Sequence, residues 1–584
     1  MLKSQGLDWN LTKRLFPYIK RHKMLLIISL FFLILSDLLS VVHPYLFKLG
    51  IDNYVVKGDF EGLKRVTVIL GAAFILMFAS NFLFHYMVQY LGQKLLFSMR
   101  MDLFRKALSL SNDYFDKTPT GKVLTNITND VEAIREFISN GVVTILGDTL
   151  KIAFIISAMF FINVKLAFFT FITIPLFLLA TFFFRRSIRT GFRGVRKANS
   201  EINSEFVETI NGIREIRLYN YQQNARERFN EKNSRYLRSY MKIVKTYAIY
   251  FPTIETVSTF SMIVILIAAH FLIGISLQVG VIFSFFAYLS MFFRPLRELA
   301  EQFNMFQSAM AAAERIFRLK DEPVSITNKS GARKIDSRLR GEVEFRNVTF
   351  SYDQEKTVLK NISFRLPEGE TLALVGRTGS GKSTIIKLIS RLYDIQEGSI
   401  LVDGMDIRDL DIHDLRKQIA VIQQEPMVFS GNVYENIGLY DPAITKEQIE
   451  HAAKKVHAHE FIERLPQGYE TPLLEGGKIL SAGQKQLISL ARAFLKDPAI
   501  VILDEATANI DSETEKLLEI GLKELFSGRS GIIIAHRLAT IQNVKQILVL
   551  REGEIVESGN HEELLKLGKV YYKLYQTQSL LQEI

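Results

Sequence analysis

The 584-residue chain contains no cysteine. That absence excludes a disulfide framework, a cysteine-based zinc site and thiol catalysis. Acidic residues are scarce in the first 340 positions, which carry 44 Lys and Arg against 25 Asp and Glu. From Gly341 onward the balance reverses, with 28 basic and 36 acidic residues. Positive charge can attract nucleic acid, but the basic half is also the half with long apolar runs. Membrane-spanning helices joined by positive cytoplasmic loops account for both features, so nucleic acid is not expected as a partner. The length is too great for one ordinary core and calls for several domains. The first apolar run begins only after about 23 residues and is too long for a cleaved leader.

Six runs approach the ~20 apolar residues needed to cross a bilayer: 24–47, 66–90, 141–162, 166–184, 247–273 and 279–293. Arg14, Lys20, Arg21 and Lys23 precede the first, which places the N-terminus in the cytoplasm. Asn163 marks a very short turn between the third and fourth runs, and 274–278 carries no charge; both read as external. The stretches 91–140 and 185–246 are long and basic, with Arg185, Arg186, Arg189, Arg193, Arg196 and Lys197 opening the second. Structureless loops of that length are unusual, so both are expected to be long helices continuing the spans into the cytoplasm.

Asp37, His85, Asp148, Lys151, Glu255 and His270 fall in or near the runs. Charge within a bilayer is costly, so such groups face a bundle interior or a cavity, or reach the interface. The three-residue spacing of Asp148 and Lys151 would allow a pair on one helical face. Asp37 is the best placed to line a cavity, with Pro44 beyond it as a possible kink. A purely structural role remains open for each.

From Glu342 the pattern changes. Val343, Glu344 and Phe345 alternate like a strand, and 371–375 and 500–503 are short apolar β-branched runs. Alternation of such runs with helical segments indicates an α/β domain with buried strands. Within it, Gly376, Arg377, Thr378, Gly379, Ser380, Gly381, Lys382 and Ser383 match the pattern G-x-x-x-x-G-K-[ST]. The segment follows a strand-like run and leads into an apolar helical one from Thr384. Glycines let backbone N–H groups wrap phosphates, and the helix N-terminus adds partial positive charge. Lys382 then reaches the β- and γ-phosphates, and the Ser383 hydroxyl ligates Mg2+.

Further along, Ile500, Val501, Ile502 and Leu503 run into Asp504 and Glu505. A buried strand would deliver both carboxylates to its C-terminal end, Asp504 for the metal and Glu505 to polarise a water for attack on the γ-phosphate. His536 follows the strand-like run 532–535 and would reach the same site.

Taken together these motifs resemble the ABC transporter superfamily over nearly the whole chain. Leu480, Ser481, Ala482, Gly483 and Gln484 are similar to the family signature, and Gln424 to the Q-loop residue that contacts the metal. Tyr352 resembles the aromatic that stacks on adenine. Ala508 to Asp511 resembles the D-loop, and His536 with Arg537 and Leu538 the switch histidine. Asp113 to Gly121 and Thr128 to Asp130 resemble the first cytoplasmic loop of exporter-type half-transporters, and Asn211, Gly212 and Ile213 lie in the second.

The resemblance implies a multidomain fold, an all-α six-helix transmembrane domain followed by an α/β P-loop nucleotide-binding domain. Expected boundaries are 1–23 for a cytoplasmic segment, 24–310 for the membrane domain, 311–341 for a linker, 342–576 for the ATP-binding domain and 577–584 for a tail. It also implies ATP and Mg2+ as cofactors and a cell-membrane location with the ATP-binding domain cytoplasmic. Short coupling helices at the tips of the long loops would dock on nucleotide domains, and two half-transporters would sandwich two ATP molecules. The cargo would be hydrophobic or amphiphilic, in contact with membrane lipid.

One departure stands out. The family signature usually has glycine where this chain has Ala482, which adds a Cβ beside the phosphate and restricts φ. Because each signature completes the ATP site of the opposite chain, the change would weaken the partner's site. A heterodimer with a second half-transporter is therefore favoured over a homodimer. The expected activity is ATP-driven export or flipping; an importer on the same fold, or a nucleotide-gated protein that transports nothing, are the alternatives.

Overall fold

A computed structural model describes residues 9–270, 278–353, 356–474, 476–504, 511–534, 541–542 and 544–582. The chain divides into two units, Met1–Leu108 with Gly121–Asp321 and Ser109–Thr120 with Glu322–Ile584. Helices α1 (Trp9–Lys20), α2 (Lys23–Val55) and α3 (Phe60–Ser109) come first. They are followed by α4 (Asn112–Lys117), α5 (Thr120–Ile162), α6 (Val164–Phe171) and α7 (Ile174–Asn211). Then come α8 (Ile213–Leu218), α9 (Gln222–Ala268) and α10 (Val279–Asp321). The 50 residues of α3 reach about 75 Å at roughly 1.5 Å per residue, more than twice the ~30 Å hydrocarbon core of a bilayer.

Among the described residues, five helical stretches are long and apolar enough to cross a membrane, and the sixth run is the shorter segment Val279–Pro295 at the start of α10. Large apolar side chains lie exposed along the spans, Phe78 and Phe183 among them, as lipid-facing positions require. The two basic stretches are helical as expected, α3 running on to Ser109 and α7 and α9 meeting around α8. Asn163 ends α5 in an extended conformation, and its side chain accepts the Leu166 N–H at 3.0 Å, capping α6. Of the other expected external loop only Gln278 lies within the described residues.

The interior of the helical unit gathers Val41, Met159, Phe177, Phe285 and Tyr288. Tyr288 donates its hydroxyl hydrogen to the Val41 carbonyl at 2.7 Å, a polar tie between α2 and α10. The membrane charges are arranged differently from the spacing argument. Lys151 Nζ lies 3.9 Å from Asp37 Oδ1, so it reaches across to α2 instead of pairing along its own helix with Asp148. A lysine side chain is long enough to bridge to a neighbouring helix, and Gly147 lets α2 approach: a Cβ there would sit 2.9 Å from Leu33 Cδ1. Asp37 is accordingly buried between α2 and α5. The helix α2 continues through Pro44. Helix α10 also continues beyond residue 310, because Ala309, Ala312, Ala313, Ile316 and Phe317 recur at helical spacing and are buried.

The second unit contains two sheets. Strands are β1 (Val343–Ser351), β2 (Thr357–Leu366), β3 (Thr371–Gly376), β4 (Glu397–Val402) and β5 (Met405–Asp406). They continue as β6 (Ile419–Ile422), β7 (Ile500–Asp504), β8 (Ser530–Ile534), β9 (Gln546–Arg551) and β10 (Glu554–Gly559). One sheet is antiparallel, in the order β2-β1-β4-β5. The other runs β10-β9-β3-β8-β7-β6 and is parallel except for the β9–β10 edge. Ile500–Leu503 and all of β8 are buried, which matches the unbroken β-branched runs in the sequence.

Candidate functional site

The parallel sheet brings the phosphate motif and the acidic strand to one edge. Leu374 of β3 is level with Ile534 of β8, and Ile534 with Asp504 of β7. The loop leaving β3 and the carboxylate ending β7 therefore emerge together, two strand spacings or about 10 Å apart. Leu503 is level with Ile422, so Gln424 leaves the adjacent strand on that same edge. Ligands of open α/β sheets gather at the C-terminal ends of strands, and this edge is such a place.

The loop owes its shape to glycine at two points. Gly381 has φ +106°, and a Cβ there would lie 2.6 Å from Leu359 Cδ2. At Gly376 a Cβ would come within 2.3 Å of the Leu550 carbonyl oxygen, so only glycine lets β3 pass β9 into the turn. Helix Lys382–Ile389 begins immediately after. Lys382 is 5% exposed, and its ammonium donates to the Gly376 and Arg377 carbonyls at 2.7 and 3.0 Å. Ser380 is buried and, among the described residues, its Oγ has no hydrogen-bond partner, an orphaned donor inside the loop where an anion would fit. Arg377, Thr378, Gly379 and Ser383 are exposed at the mouth.

Tyr352 stands just past β1 and packs edge to face on Phe350, with centroids 4.9 Å apart. Its hydroxyl lies 3.1 Å from Thr384 Oγ1, so the Thr384 side chain, expected at the nucleotide, is shared with the aromatic residue. Lys387 lies over the Tyr352 ring at 5.2 Å and over the Tyr393 ring at 5.7 Å.

The signature segment opens helix Ala482–Leu495. Ser481 is its N-cap, accepting the Gln484 N–H at 3.2 Å while Gln484 Oε1 accepts the Ser481 N–H at 2.9 Å. Ala482 is the first helical residue and is not among the residues with positive φ, so the alanine carries none of the φ strain that a left-handed glycine position would impose. Gly483 is buried and Gln484 half-buried. Glu505 and His536 lie outside the described residues, as do Ala508 to Ile510, Arg537 and Leu538; Asp511 is described and caps helix Ser512–Phe526 by accepting the Thr514 N–H at 2.9 Å.

Three groups here escaped the sequence reading. Gln486 is buried and donates to the Gln423 and Gln424 carbonyls at 3.0 and 2.8 Å, tying the signature helix to the backbone of the Q-loop. Arg492 donates to the Met427 and Asn436 carbonyls, both at 2.6 Å, and holds the chain beyond the Q-loop. Tyr393 donates to Asp116 of α4, which the fold groups with the second unit. Burial and the nearby Asp116 carboxylate both raise the Tyr393 phenol above its ordinary range, so it remains a donor. A Gln two positions after Gln484 was a usable signal; the partners of Arg492 and Tyr393 left none.

The fold and this edge define an ATP-binding domain carried on a chain of membrane-crossing helices. Residues 26–296 match the ABC transporter transmembrane region, and residues 359–508 match the ABC transporter family. The chain is 36% identical over 574 residues to the Uncharacterized ABC transporter ATP-binding protein YknV of Bacillus subtilis, covering 98% of this chain and 95% of the relative. It is 37% identical over 526 residues to the Probable multidrug resistance ABC transporter ATP-binding/permease protein YheH of the same organism, covering 89% of this chain and 77% of the relative. A solved structure of a bacterial Atm1-family ABC exporter with ATP bound superposes with a TM-score of 0.76 at 25% identity, covering 95% of this chain and 98% of that one. The protein belongs to the ABC transporter family. It is a membrane protein that binds ATP, and ABC exporters of this build act as dimers of half-transporters.

Proposed function

We propose that the chain is one half of an exporter or flippase that uses ATP hydrolysis to move amphiphilic molecules by alternating access. The carrying observation is the single sheet edge holding the P-loop, Gln424 and Asp504, in a chain whose other unit supplies helices long and apolar enough to cross a bilayer. The multidrug-resistance name of YheH and the exporter fold of the solved neighbour support the direction and the cargo class. In this reading 24–310 forms the membrane domain, in a cell membrane, and 342–576 the ATP-binding domain, which like the N-terminus is cytoplasmic.

Tyr352 stacks on the base, and Gly376 to Thr384 hold the phosphates with Lys382 as the positive contact. Ser383, Gln424 and Asp504 offer the hard oxygen donors that Mg2+ takes beside phosphate oxygens and water. The ion, when bound, neutralises charge that develops on the phosphates. Glu505 polarises the attacking water, and His536 contacts the γ-phosphate. Ser481, Gly483 and Gln484 complete the site on a partner. Closure follows because nucleotide binds the closed dimer more tightly than the open one. A heterodimer is favoured, since Ala482 puts a Cβ where the usual signature has glycine and would face the partner's nucleotide.

The test is ATPase turnover of the reconstituted protein across a panel of lipids, drugs and hydrophobic peptides. Stimulation by at least one class is expected. Turnover unaffected by all three would contradict an export function.

A further inference from the structure

Helices α7 and α9 pack against each other in antiparallel fashion and flank a half-open groove of about 690 Å3. The pairing is set by Ser187 Oγ and Thr246 Oγ1 at 3.0 Å, by Phe184 stacked on Tyr250 at 3.8 Å, and by Gly191, where a Cβ would meet Ile243 Cγ1 at 2.8 Å. The cavity is divided along its length. Phe183, Phe184 and Ile249 line one end; Ser239, Lys242 and Lys245 line the other. From Phe183 to Gly194 the wall extends about 16 Å along α7.

That division falls where the apolar part of α7 gives way to Arg185, Arg186 and Arg189, the transition from hydrocarbon to headgroup depth. No Asp or Glu occurs in α7 between Ile174 and Ser200, or in α9 between Asn233 and Ile254. Among the described residues, no carboxylate lies within ion-pair reach of Lys242 or Lys245. Farther from the spans the same two helices neutralise their own charge: Arg228 lies 3.2 Å from Glu205, which Lys232 also contacts, and Arg235 lies 2.5 Å from Glu231. Among the described residues, Lys242 and Lys245 of the groove thus lack the carboxylate partners that Arg228, Lys232 and Arg235 have.

We propose that this groove binds an amphiphile with a phosphate-bearing anionic head. The tail lies against Phe183, Phe184 and Ile249, and the head sits between Lys242 and Lys245. A free anion would use only the polar end, whereas a neutral amphiphile would gain nothing from the two exposed lysines. Gly194 keeps the head end open, since a Cβ there would meet nothing nearer than Ser239 at 3.9 Å. The inference goes beyond the export reading and holds whether or not the bound molecule is itself carried.

Because the chain has no cysteine, Ser239→Cys gives it a single thiol, inside the groove. Its rate of reaction with a neutral maleimide is measured in nanodiscs of phosphatidylcholine, without nucleotide. Dodecyl phosphate should slow the reaction. Dodecyltrimethylammonium, with the same tail and opposite charge, should not, and neither should inorganic phosphate. Adding Lys242→Gln and Lys245→Gln should raise the dodecyl phosphate needed for half-protection about thirtyfold. Gly194→Leu, which fills the head end without changing charge, should abolish protection. Protection in phosphatidylglycerol nanodiscs with nothing added assigns the occupant to the leaflet; protection by dodecyl phosphate alone assigns it to a free amphiphile. The proposal is overturned by equal protection from dodecyltrimethylammonium or inorganic phosphate, by undiminished protection in the double lysine variant, or by equal protection of Ser200→Cys outside the groove.

Discussion

The ring of Tyr352 meets the ring of Tyr393 edge to face, with centroids 5.1 Å apart and planes at 89°. Tyr393 in turn donates its hydroxyl hydrogen to Asp116 in the short helix α4. A residue proposed to stack on the nucleotide base is thereby two contacts from a loop that continues into the membrane helices α3 and α5. Lys387, poised over both rings, helps to hold them in this arrangement.

Tyr393→Phe keeps the aromatic contact and removes the donor. The change should loosen α4 by about 1.5 kcal/mol, the low end for a hydrogen bond to a charged group, because Asp116 is exposed. Basal ATPase should stay within about a factor of two, while stimulation by cargo should fall. Comparing basal with cargo-stimulated turnover checks this, and equal stimulation in the variant and the parent would deny α4 a role in coupling.

Tyr352→Ala should raise the KM for ATP more than it lowers kcat, because stacking holds ground state and transition state alike. Losses of roughly 1–3 kcal/mol are typical for a base stacked on an aromatic ring. No residue in the sequence stands out as a hydrogen-bond reader of the purine, so GTP should substitute for ATP with only modest loss. Steady-state kinetics with both nucleotides test the pair of expectations, and a strict ATP requirement would point to an unseen base contact.

Gly381→Ala forces a side chain into a left-handed conformation at φ +106° and against Leu359. A cost of about 1–3 kcal/mol is expected for the strain alone. ATP affinity and the thermal midpoint of the nucleotide domain should both drop. A variant with parental affinity and midpoint would show that the loop can adopt another path.

Much of this was legible in the sequence, for physical reasons that differ from element to element. The P-loop is contiguous, so Gly376, Gly381 and Lys382 announce their geometry without any knowledge of the fold. Asp504 was legible because a buried β-branched run can end in a carboxylate only where the sheet meets solvent or ligand. The partner of Lys151 was not legible, since helical spacing names the neighbour on the same helix while the Asp37 contact depends on how α2 and α5 pack. Tyr393 and Asp116 are 277 residues apart, and no periodicity links them. The length of α10 has a local cause, since buried apolar spacing continues to Phe317, well past the membrane run.

Expressed alone, the chain should assemble poorly or turn over ATP slowly, and a co-expressed half-transporter with a glycine signature should restore activity. In that pair Ala482→Gly should raise hydrolysis at the partner's site if the partner retains a catalytic carboxylate. Ala482 is the first residue of its helix and shows no positive φ, so the substitution should leave this chain's own fold unchanged. Stable homodimers with vigorous cargo-stimulated turnover would sink the heterodimer reading.

The most direct test of the whole account is ATP-dependent accumulation of a cargo identified by ATPase stimulation in inside-out membrane vesicles, compared between the parent and Glu505→Gln. The parent should accumulate cargo only with hydrolysable ATP. The variant should bind ATP with similar affinity yet lose hydrolysis by ~10²-fold or more and transport with it. Accumulation that survives in Glu505→Gln, or that appears only in right-side-out vesicles, would contradict ATP-driven export.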